Sequence, residues 1–64
     1  MSKSLTDSEL KVINFIAEGA TYRSVAQKLH LSTHTVKTHV HNAFAKLGVT
    51  SRAALRDALE ETPE

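Results

Sequence analysis

A chain of 64 residues with 41% hydrophobic and 23% charged side chains makes one small folded domain, leaving no room for a second domain or a deep enclosed pocket. The formal net charge is only +1, and the absence of Cys excludes disulfides and thiolate-bound metals while fitting a reducing compartment. No apolar run exceeds three residues, far below the roughly 20 that cross a membrane, and nothing reads as an export signal.

Helix punctuation orders the rest. Leu5-Thr6-Asp7-Ser8-Glu9-Leu10 fits a capping box, Thr6 accepting from the Glu9 amide and Glu9 reaching back, with Leu5 and Leu10 as a hydrophobic staple. A first helix over about 7–18 then presents Leu10, Ile13, Ile16 and Ala17 on one face, widened by Val12 and Phe15, and ends at Gly19. Thr21 caps a short second helix, 22–29, whose inward positions are Val25, Ala26 and Leu29. Ser32 caps a third helix, 33–47, with Leu31 as staple partner to Val36 and Gly48 as its close. Thr50 or Ser51 caps a fourth, 51–60, followed by Pro63 and a frayed tail. The expected fold is all-α: a compact four-helix bundle with a central helix-turn-helix, a single domain over 1–64 with its core in 5–59.

Charge is unevenly placed. All seven carboxylates lie at Asp7, Glu9 and Glu18 or at Asp57, Glu60, Glu61 and Glu64, so the 38 residues from Gly19 to Arg56 hold none. That span carries Arg23, Lys28, Lys37, Lys46, Arg52 and Arg56 together with His30, His34, His39 and His41. A basic middle attracts an anionic partner, although a charge cluster is more often just a solvated face.

The third helix sharpens the choice. At about 100° per residue, Val36, Val40, Ala43, Phe44 and Leu47 fall within one inward sector. Opposite them come His34, Lys37, Thr38, His41 and Ala45, with Thr35, His39 and Lys46 on one flank. A merely soluble helix pairs Glu with Lys for a few tenths of a kcal/mol per pair, and this one has no acid. The connection His30-Leu31-Ser32 is short enough to force a steep crossing, and Ala26 and Val36 supply the small and β-branched residues that a close crossing needs. A second helix so presented fits the major groove of a duplex, about 12 Å wide.

The chain resembles the C-terminal DNA-binding domain of LuxR/FixJ-type transcription regulators over about Leu5 to Leu59. The resemblance is carried by Leu5-Thr6 with Glu9 and Val12-Ile13, then Ala17-Glu18-Gly19, Val25-Ala26-Gln27-Lys28-Leu29, Leu31-Ser32, Thr35-Val36-Lys37-Thr38-His39-Val40, Lys46-Leu47-Gly48-Val49 and Arg52. It implies binding of double-stranded promoter DNA, commonly as a homodimer through the last helix, with a sensing or phospho-acceptor domain often preceding. Carried over by position, base contacts fall on Lys37, Thr38 and His41, to which the outward row adds His34. Phosphate contacts fall on Thr21, Tyr22, Arg23, Ser32, Thr35, His39 and Lys46. The dimer surface would be Ala54, Leu55, Ala58 and Leu59, residues equally compatible with ordinary core. A bacterial, cytoplasmic, nucleoid-associated location and a contact with RNA polymerase are implied as well, with no cofactor and no membrane.

The chain departs from the family pattern at Ser8, where Arg is common, at Tyr22-Arg23-Ser24, where Asn-Lys-Glu is common, and at His41, where many members carry Lys or Arg. The last makes base preference there pH-dependent. Each site residue has a plainer reading: Lys37 as a solvated lysine, Thr38 as a tolerated side chain, His39 as a packing residue. His30 and His34 stand four apart but straddle the helix cap, with no Cys or carboxylate near to complete a metal site. No nucleophile and base with a supporting acid assemble, so an enzyme is not expected. The competing class is a protein-interaction or sigma-region-4-like module docking on the transcription machinery.

Overall fold

Each helix begins where a hydroxyl satisfies an otherwise unpaired amide. Thr6 Oγ1 accepts from the Glu9 amide at 3.1 Å and the Thr6 amide donates to Glu9 Oε1 at 3.0 Å, a complete capping box. Thr21 accepts from the Ser24 amide at 3.0 Å, Ser32 from the Thr35 amide at 3.0 Å and Ser51 from the Ala54 amide at 3.1 Å. The fourth cap is therefore Ser51 rather than Thr50. The computed structural model describes residues 5–60, and among them the chain forms four helices and no strand. These are α1 (Asp7–Ala17), α2 (Tyr22–Leu29), α3 (Thr33–Leu47) and α4 (Arg52–Glu60). Pro63 and the tail beyond α4 lie outside the described residues.

Three helices end alike, through a left-handed residue. Gly19 at φ 101° and Gly48 at φ 71° close α1 and α3, while His30 at φ 58° and ψ 44° closes α2. At each, the next amide reaches back to a carbonyl of the last turn: Ala20 to Phe15 at 3.0 Å, Leu31 to Ala26 at 2.9 Å and Val49 to Phe44 at 3.0 Å. The residue making each of these bonds then packs on the core, so every reversal inserts an apolar plug: Ala20, Leu31 and Val49.

α1 and α3 each pack against all the other helices, while α2 and α4 do not meet. Their shared interior holds Val12, Ile13, Ile16, Val25, Ala26, Val36, Val40, Ala43 and Leu55, each burial of a large aliphatic side chain contributing about 1.5–3 kcal/mol. Two expectations change here. Leu10 is 43% exposed, because the inward face of α1 runs through Glu9, Val12, Ile13 and Ile16, one residue out of phase with a face centred on Leu10. Leu55 is fully buried, so it is core and takes no part in an outer surface of α4.

Candidate nucleic-acid interface

α3 turns its other side to solvent. His34, Lys37, Thr38 and His41 are all exposed, and with Asn42 they line one concavity of about 330 Å³. A second groove, of about 460 Å³, runs along the neighbouring flank, where Lys37, Val40, His41, Phe44 and Ala45 meet Tyr22 of α2 and Val49 and Thr50 of the following turn. Lys37 and His41 thus form the ridge between two hollows, and Tyr22, at the start of the preceding helix, stands across the groove from them. Four of the expected base-contacting residues share one surface. Their common orientation follows from burial of Val36, Val40 and Ala43 on the opposite side of the same helix.

The flank residues differ. His39 and Thr35 are half-buried, whereas Thr21, Tyr22, Arg23 and Ser32 are exposed near the two helix starts. Ser32 Oγ donates to Thr35 Oγ1 at 2.9 Å while accepting the Thr35 amide. Its hydrogen is spent on that bond, which leaves the Thr35 hydroxyl hydrogen as the outward donor of the pair.

Lys46, also expected at a phosphate, places Nζ 2.7 Å from Glu9 Oε1. The two residues are 37 positions apart, and Glu9 is buried to 5% of its surface on the inward face of α1. Hydrogen bonds from the Lys46 ammonium and the Thr6 amide hold the Glu9 carboxyl below the usual carboxylate range, overcoming the opposing effect of burial, with a lesser contribution from the Lys46 charge. Lys46 therefore pins the last turn of α3 to the first turn of α1. The pair holds the flank on which Lys46 stands. This is the ion pair found among the described residues, and no local spacing announces it. On the far side of α1, Lys28 Nζ of α2 stands 5.6 Å from the Phe15 ring centroid, a second tie from the helix-turn-helix to α1.

Asn42 is the residue that the outward row omits. It lies about 40° from the middle of the solvent face, nearer than His41 at about 60° or Lys37 at about 100°. Its spacing from Thr38, four residues, was the available signal. Among the described residues no group of His, Cys, Asp and Glu could hold a metal ion, and no helix is long and apolar enough to cross a membrane. His30 sits in the turn and His34 on α3, on opposite sides of the Ser32 cap.

A short connection between two helices, the second buried on one side and carrying Lys37 and two His without an acid on the other, defines a helix-turn-helix domain of the DNA-binding, transcription-regulating kind. Comparison with known proteins gives the family: residues 3–58 match the model for bacterial regulatory proteins of the luxR family, and the chain belongs to that family. It is 42% identical over 50 residues to the transcriptional regulatory protein LiaR of Bacillus subtilis, covering 78% of this chain and 24% of LiaR. It is likewise 42% identical over 50 residues to the nitrate/nitrite response regulator protein NarP of Escherichia coli, covering 78% of this chain and 23% of NarP. A solved structure of the Salmonella typhimurium response regulator RcsB superposes with a TM-score of 0.86 at 33% identity, covering 94% of this chain and 29% of that one. The chain spans only a part of the curated relatives it matches, 6% of one mycobacterial regulator and 28% of one from Pseudomonas aeruginosa.

Proposed function

We propose that this chain binds double-stranded DNA sequence-specifically, with α3 in the major groove and a second copy engaged through α4. The observation that carries the reading is the acid-free ridge of Lys37 and His41 between two hollows, flanked by His34 and Thr38, on a helix whose opposite side buries Val36, Val40 and Ala43 in the core. Base edges are read by Lys37, Thr38, His41 and His34. Lysine pairs with the O6 and N7 acceptors of guanine, and threonine with either kind of edge. Thr21, Tyr22, Arg23, Ser32, Thr35 and His39 fix the domain on the phosphates, and Lys46 holds the helix at its angle through Glu9. The α4 contact uses Ala54, Ala58 and Leu59, which are half-buried in one copy, and excludes Leu55.

Selection of binding sites from random duplex DNA with the purified chain tests all of this together. The expected result is a consensus with two related half-sites, and an affinity that falls with salt by about 0.9 log unit per log unit for each phosphate neutralised. Recovery of no consensus, with salt-insensitive binding to a protein instead, overturns the reading.

A further inference from the structure

We propose that Asn42 reads an adenine, an inference that rests on α3 occupying the major groove and adds a specificity-determining residue to that surface. Asn42 lines the same hollow as His34, Lys37, Thr38 and His41 and is exposed, and among the described residues its carboxamide makes no hydrogen bond. It continues the ridge His34–Thr38 by one further turn, placing its Cβ about 6 Å along the helix axis from that of Thr38.

Chemistry distinguishes it from its neighbours. Lys37 offers donors alone, and Thr38 offers one oxygen. The Asn42 carboxamide presents a donor and an acceptor side by side, which matches the N7 acceptor and N6 amino donor that adenine alone displays in the major groove. Ala45, next on the outward face, has no hydrogen-bonding group, so Asn42 is the last polar reader before the C-terminal turn that Lys46 ties to Glu9.

The test repeats site selection with Asn42→Ala, a substitution that raises helix propensity at an exposed position and is checked for folding by its thermal midpoint. The wild-type chain is expected to select an A·T pair that the variant no longer selects, with all other positions of the consensus kept. Affinity for the wild-type site is expected to fall about 5- to 150-fold. Replacing that adenine by 7-deazaadenine, which lacks the N7 acceptor, is expected to weaken the wild-type chain and leave Asn42→Ala unaffected. An unchanged consensus, a loss spread evenly over the site or a loss at a G·C pair overturns the assignment while leaving the DNA-binding reading intact. Failure of the wild-type chain to select any consensus overturns both.

Discussion

His30 holds a left-handed backbone conformation at φ 58° although it carries a Cβ, a strain of about 1–2 kcal/mol that glycine avoids. His30→Gly is expected to stabilise the domain by about 0.5–1 kcal/mol, the relief being partly offset by the greater freedom of glycine in the unfolded chain. Urea denaturation reads this directly, and a lower midpoint would mean that the imidazole makes a compensating contact. Glu9 gives a pH-dependent counterpart. Its folded-state acidity is strengthened chiefly by the Lys46 ammonium, so the unfolded chain binds a proton more readily. The contribution is complete above the ordinary carboxylate range and disappears as pH falls through the lowered folded value. Glu9→Gln is expected to lower the urea midpoint at pH 7 and to flatten its decline toward pH 3; equal declines in the two proteins would assign acid sensitivity elsewhere. Neither residue was legible beforehand in these roles. A left-handed histidine has no glycine to advertise it, and an ion pair spanning 37 positions leaves no mark in local spacing.

For the elements, legibility follows the range of the interactions. The caps of α1, α2 and α3 and the terminating glycines depend on residues within a turn of each other, and Thr6, Thr21, Ser32, Gly19 and Gly48 serve as their local chemistry dictates. The phase of α1 depends on what packs against it. Leu10 satisfied an apolar pattern, yet the helix is rotated so that Glu9 faces inward to meet Lys46, and Leu10 is left toward solvent. For Leu55 the sequence left core and dimer surface both open, and its complete burial decides for the core. The outward face of α3 was readable because its inward face was. Lys37 stands on that face and Arg23 on the first turn of α2, which separates their expected effects. Lys37→Ala should cost about 1–3 kcal/mol and relax base preference at one position, whereas Arg23→Ala should weaken every sequence alike and reduce the salt slope by about 1. Fluorescence anisotropy on the selected site and on scrambled DNA distinguishes the two, and identical losses on both duplexes for Lys37→Ala would remove it from the base-reading set.

The whole molecule is small enough that one cavity matters. At about 0.05–0.15 kcal/mol per residue a 64-residue chain retains about 3–10 kcal/mol of net stability. Ile13 is fully enclosed in the interior formed by the helices, and truncating it to alanine removes about 2–5 kcal/mol. Ile13→Ala is expected to populate the unfolded state at 37 °C and to lose DNA binding without touching the proposed surface, as circular dichroism and binding measured together will show. A variant that stays fully folded would indicate that the bundle collapses around the cavity. Glu9 Oε1 is bonded at once to the Thr6 amide and to Lys46 Nζ, so a single atom fastens both the start of α1 and the far end of α3. Fraying at one of these ends withdraws an anchor from the other. Amide exchange at Glu9 and in the closing turn before Gly48 should therefore quicken together in Glu9→Gln, as one breathing unit instead of two.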